Sequence, residues 1–219
     1  MEMEDKLGIK NMKKIVNYIF EIGVLKREKH NGFKLIGVDA LGSVAEHALR
    51  ASQIGYILTI LENEKHGTDI SPEKVASMLI FHDNGEVRVG DLHKVASRYI
   101  DSSEAERLAF KEQAERLPRK MEDSLLKYYD EFENRTTVEG IIAKDADWLE
   151  AAFSAKEHYD LGNTLAMDWV LNVEKALETD SAKEVIKEMK ETRFTDWWTG
   201  LKKMLYKKMD GNYVEHGKE

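Results

Sequence analysis

Along nearly its whole length this chain repeats apolar residues three and four positions apart. That spacing lines one face of an α-helix. No stretch alternates apolar and polar residues over five or more positions, which is the pattern a half-buried strand needs. Only two prolines interrupt the 219 residues. The pattern predicts an all-α fold, a helical bundle.

A first helix is predicted over Lys10–Lys26, with Ile15, Val16, Ile19, Phe20 and Ile22 on its apolar side. The irregular stretch "REKHNGFKLIGVDALG" follows. A second helix opens at "SVAEH", where Ser43 can cap and Glu46, three residues on, completes a capping box. It runs to about Glu64 and turns His47, Ala51, Ile54, Leu58 and Leu61 inward. The third, "SPEKVASMLIFHD", has Ser71 as cap and Pro72 as first residue. Val75, Leu79 and His82 share its inner face. Further helices are predicted over Glu104–Asp130 with a break near Pro118, then over Val138–Tyr159, Thr164–Thr179 and Ala182–Lys208. No repeat or linker divides the chain, so one domain over 1–219 is expected, with a motif core at about 12–160 and C-terminal helices at about 164–210.

Composition narrows the function classes. Apolar residues at 42% and charged residues at 34% fit a globular chain rather than a disordered one. Runs such as "IGYILTIL" fall short of the roughly 18 residues of a membrane span. The opening "MEMEDKLGIK" is not a secretory signal. The absence of cysteine removes disulfides and thiol chemistry and fits a cytoplasmic location. A net charge of −8 argues against a nucleic acid polymer as partner.

Chemistry concentrates in "FHDNGEVRVGD", Phe81 to Asp91. His47 and His82 lie on inward faces of separate helices, and Asp83 follows His82 where its helix ends. Imidazoles mixed with carboxylates suit Mn, Fe, Co, Ni or Zn better than Ca. A fourth ligand must come from elsewhere, and "AKDADW" offers Asp145 or Asp147. These lie about 200° apart on a helix, so they cannot both face one site. Periodicity leaves that choice open.

The ordered set "SVAEH", "FHDNGEVRVGD" and "AKDAD" resembles the HD-domain metal-dependent phosphohydrolases. Within them it is most similar to the branch of the 5′-deoxynucleotidases and HD domain-containing protein 2. The matching residues are Ser43 to His47, His82 to Asp91 and Lys144 to Asp147, and the likeness spans roughly Met12 to Tyr159. The resemblance implies Asp147 rather than Asp145, and one divalent ion (Co, Mn, Mg, Ni, Fe or Zn) on His47, His82, Asp83 and Asp147. It implies catalytic work for Glu86 and Asp91. "LKR" resembles the branch's substrate-binding arginine, here Arg27. The branch has a tryptophan close behind that arginine. This chain has "REKHNGF", where Phe33 is the available stand-in.

A 5′-nucleotidase acting on (deoxy)nucleoside 5′-monophosphates is therefore expected, with a small-molecule nucleotide as partner and a homodimer implied by the branch. Alternatives are an HD enzyme acting on another nucleotide, as a dNTP triphosphohydrolase or a phosphodiesterase, or a helical scaffold with a structural metal. His30, His66, His93, His158 and His216 match no ligand position and read as surface or supporting groups.

Overall fold

The computed structural model describes residues 9–199, 201 and 205–215; the readings made for the first eight residues and for His216 lie outside them. Helix α1 is Ile9–Ile22, extended by a 3-10 turn over Gly23–Lys26, and a second 3-10 segment covers Asn31–Ile36. Then come α2 (Val44–His66), α3 (Pro72–Phe81), the short α4 (Glu86–Val89), α5 (Ser102–Ala114) and α6 (Arg119–Asn134). Helices α7 (Val138–Asp160), α8 (Met167–Ala176) and α9 (Asp180–Glu191) follow. The class is all-α, with a small antiparallel hairpin, β1 (Leu205–Lys207) and β2 (Tyr213–Glu215), appended at the end.

The capping signals act as expected. Ser43 accepts from Glu46 N while the Glu46 carboxylate accepts from Ser43 N, and Ser71 accepts from Lys74 N. Each satisfies an amide that the helix itself leaves without a partner.

The bundle's centre is α2, α3 and α7. Their contact is made of small residues: Ala51, Ala143 and Ala146 are fully buried. A Cβ added at Gly55 would meet Leu79 Cδ1 at 2.4 Å and Val75 Cγ1 at 2.9 Å. Those three helices thus approach more closely than larger side chains would permit. Leu58, Met78, Leu79, Ile142 and Leu149 complete this core, and Val170 and Ile186 extend it under α8 and α9. A second cluster joins α1 to α5 and α6 through Tyr18, Phe110, Ala114, Leu117 and Leu125.

Three expectations change, the first on α2, where Leu61 is exposed and Thr59 and Glu62 are the buried neighbours of Leu58. On α1 the buried side is Ile15, Tyr18 and Ile22, while Val16, Ile19 and Phe20 face outward. The Tyr18 hydroxyl, accepting from Asn84 Nδ2 at 2.9 Å, fixes that rotation. The helix expected over Ala182–Lys208 ends at Glu191, because Thr192 takes an extended ψ of 134°. The sequence beyond folds back through an Asp210–Gly211 turn with Gly211 at φ 87°.

Between the two clusters the chain leaves α3 through consecutive turns that carry His82 to Glu86, with Glu86 N donating to Asp83 O at 3.0 Å. Gly85 is packed against the α5 backbone, and a Cβ there would lie 2.6 Å from the Glu106 carbonyl oxygen. Gly85→Ala must therefore push α4 away from α5. The expected cost is about 1–3 kcal/mol, read as a lower melting temperature. An unchanged melting temperature would show that α5 yields freely.

Candidate metal centre

His47 enters from the first turn of α2, His82 and Asp83 from the end of α3, and Asp147 from the middle of α7. His47 Nε2 lies 3.1 Å from Asp147 Oδ1 and 3.6 Å from Asp83 Oδ2. His82 Nε2 lies 3.0 Å from Asp83 Oδ2 and 3.6 Å from Asp147 Oδ1. Ligands bonded to one ion at about 2.1 Å stand about 3.0–3.4 Å apart in octahedral or tetrahedral arrangements. Two of the four distances fall in that range and two, at 3.6 Å, lie just beyond it; His47, His82 and Asp147 present ligand atoms all within 4.8 Å of one another, and Asp83 adjoins both histidines.

The second nitrogens explain why the first ones face inward. His82 Nδ1 donates to the Leu79 carbonyl at 2.7 Å, and His47 Nδ1 is hydrogen-bonded to Glu150. With those Nδ1 protons fixed, both Nε2 atoms are turned toward carboxylate oxygens, which favour a positive charge, proton or metal ion, on the nitrogen. His82 Nε2 is buried and makes no hydrogen bond. A buried acceptor facing other acceptors is repulsive unless a cation stands between them. The donor set therefore fits a divalent ion.

The electrostatics carry the same message. Burial works against a charged His82, yet the carboxylates of Asp83 and Asp147 raise its pKa to about 9. His47 is likewise raised, against burial, by Asp147, Glu150 and Asp83. Asp147 is held well below the usual carboxylate range despite burial, by Lys144 and the two imidazoles. Lys144 Nζ sits 3.3 Å from Asp147 Oδ2 and 4.2 Å above the Phe132 ring.

Glu86 sits beside this cluster with a buried Oε2 that has no hydrogen-bond partner. Burial, followed by the charges of Asp83, Asp91 and Glu106, raises its pKa to about 11. Burial also raises Asp91, against His30 and the Asn31 amide. Asp91 is tied to the irregular loop by Asn31 N, and its carbonyl accepts from Asn31 Nδ2 at 3.0 Å.

The remaining candidates are placed differently. Asp145 is turned to α9, accepting from Thr179 N at 2.7 Å and from Glu178 N at 3.1 Å. Arg27 is exposed and has no ion pair or side-chain hydrogen bond among the described residues. Phe33 is 4% exposed, in core contact with Trp169 and His158. Sequence reasoning missed Glu150, which orients His47 and is itself held by Arg50 Nε at 2.8 Å. Its signal was available: Glu150 is three residues after Asp147, one turn along the same face. His30, read as a surface or supporting group, stacks on His47 with ring centroids 4.5 Å apart.

A family model described as HD domain matches residues 22–191. The chain belongs to the HD-domain family. It is 29% identical to a 5′-deoxynucleotidase of Photorhabdus laumondii over 65% of this chain and 75% of that protein. Among solved structures, a conserved hypothetical protein from Pyrococcus furiosus is 30% identical, covering 81% of this chain and 99% of that one, with a TM-score of 0.68. An HD-domain phosphohydrolase from Listeria innocua covers 85% of this chain and 97% of its own at a TM-score of 0.61; at 16% identity it shows the fold alone.

Two predictions follow from this geometry. Glu150→Ala frees the His47 ring and should weaken metal binding about 10–100-fold by calorimetry; unchanged affinity would show that the ring needs no such anchor. Glu86 binds its proton far more tightly folded than unfolded. Its contribution to stability is therefore full below an ordinary carboxylate pKa near 4.3 and is lost as pH rises from there toward about 11. Glu86→Gln in chelator-treated protein should raise the melting temperature at pH 8, with the gain shrinking toward pH 4. A gain independent of pH would contradict the assignment.

Proposed function

We propose that this protein is a metal-dependent phosphohydrolase acting as a 5′-nucleotidase, converting (deoxy)nucleoside 5′-monophosphates to nucleoside and phosphate. The observation that carries the reading is the juxtaposition of two imidazoles and two carboxylates close to ligand spacing with a buried Glu86 beside them whose Oε2 has no hydrogen-bond partner. A structural site has no use for the last of these. The 5′-deoxynucleotidase likeness supports the substrate class.

His47, His82, Asp83 and Asp147 would hold the ion, of which Mn, Fe, Co, Ni and Zn suit a mixed nitrogen and oxygen set. The bound ion would lower the pKa of water and offset charge on the phosphoryl oxygens. Glu86, relieved of its like-charge neighbours by that positive charge, accepts a proton from the attacking water. Asp91, kept protonated more readily than an ordinary aspartate, gives a proton to the leaving 5′ oxygen as the P–O bond breaks. Lys144 keeps Asp147 ionised and adds a positive charge within the site. The reading includes a homodimer, for which the outward apolar residues Val16, Ile19 and Phe20 of α1 offer a surface. It also includes a cytoplasmic location, which the lack of cysteine fits.

The test is phosphate release from nucleoside mono-, di- and triphosphates by protein loaded in turn with Co, Mn and Mg. Monophosphates should be hydrolysed, and Glu86→Ala should lower turnover about 10²–10⁴-fold with metal binding retained. Release from triphosphates alone would overturn the substrate, and a fully active Glu86→Ala would overturn the mechanism.

A further inference from the structure

The loop before α2 brings one imidazole to the centre that the ligand set does not use. His30 N donates to Gly42 O at 3.0 Å, and the neighbouring Lys29 pairs with Ser43 in a β-bridge. On its other side Asn31 is bound to Asp91. Both flanks of His30 are thus fixed to elements of the centre. Its ring lies against His47 at an interplanar angle of 27° and meets the buried Phe33 edge-on at 6.3 Å. A ring nitrogen stands within 4.8 Å of a His47 nitrogen and a Glu150 oxygen.

That proximity does not make a second metal site. His47 Nδ1 is already engaged with Glu150, so it has no lone pair to share with a further ion. What His30 offers instead is a free donor. Among the described residues its side chain has no hydrogen bond and no ion pair. The other basic groups at the centre are committed. Arg50 is bound to Glu150, Ser154 and Glu157, and Lys144 to Asp147 and Glu133.

A phosphate monoester adds two negative charges beside Asp83 and Asp147, the two carboxylates of the centre held below their usual range. It needs a hydrogen-bond donor besides the ion.

We infer that His30 is a substrate-binding residue, donating its ring N–H to a phosphoryl oxygen of the nucleotide. This rests on the phosphohydrolase reading. It places the phosphoryl group between the ion and the Asp91 loop, with the leaving oxygen directed to Asp91. Phe33 then has a defined part: it is the floor that holds the His30 ring edge-on.

The test compares wild type, His30→Ala and His30→Arg. The probes are inorganic phosphate titrated calorimetrically into Mn-loaded protein, Mn titrated into metal-free protein, and steady-state hydrolysis of a nucleoside 5′-monophosphate. His30→Ala should weaken phosphate binding and raise KM about ten- to hundredfold, with Mn affinity unchanged. His30→Arg should regain phosphate binding. Unchanged phosphate affinity in His30→Ala would overturn the inference, as would a parallel loss of Mn affinity, which would make His30 a ligand. A rise in KM for Arg27→Ala with none for His30→Ala would also overturn it. A wild type that hydrolyses no monophosphate, while His30 still governs phosphate affinity, would sink the nucleotidase reading and leave this one standing.

Discussion

His47 Nε2 and His82 Nε2 both face the carboxylates of Asp83 and Asp147 at the edge of the core. Removed from water, such a set is stable only around positive charge. Everything nearby can be understood as a means of holding it. The Leu79 carbonyl and Glu150 fix the two tautomers from behind. Arg50 keeps Glu150 ionised, which stops the His47 ring from turning over. The close seat of α2 on α3 at Gly55 brings the two histidines together from different helices. A bulkier residue at position 55 would separate the ligands before it disturbed any of them directly.

The same crowding of negative charge produces the chemistry. Burial and then the charges of Asp83 and Asp91 push Glu86 up to about 11, and Glu106 is pushed up to about 7 by burial and by Asp83, Glu133 and Asp91. Positive charge placed among the ligands reverses this order, because Glu86 feels it through the same short distances. In the proposed mechanism, loading the centre and arming Glu86 as base would be one electrostatic event. The cost falls on folding: an acid that must stay protonated when buried gives up stability as pH rises.

Much of this was readable in the letters, for identifiable reasons. Ser43, Glu46, Ser71 and Pro72 act through bonds within four residues, so spacing alone reports them. The inward positions of His47 and His82 follow from the same periodicity. Three-dimensional facts were not readable. Val16, Ile19 and Phe20 look like a core face until Tyr18 takes that place by binding Asn84 from the turns that follow α3. The end of α9 at Glu191 depends on backbone conformation at Thr192, in a stretch whose composition still favours helix. Arg27 is named by the likeness of "LKR" to the branch's arginine, while the imidazole three residues on is the one whose backbone is tied to the loop before α2.

Asp145 and Asp147 show most clearly where letters stop and packing begins. Both sit on α7, two residues apart, and periodicity says only that they diverge. Asp145 becomes an anchor for the start of α9, where Glu62 also accepts from Ser181 N at 2.7 Å. Two carboxylates there satisfy amides left open by the helix end and oppose its dipole. That anchoring draws α9 onto α7 and fixes the rotation of α7 about its axis. With Asp145 held on one side, Asp147 is delivered to the other, facing the histidines. The acid that anchors α9 thus orients the one that faces the histidines, and the two placements are consequences of a single helical phase.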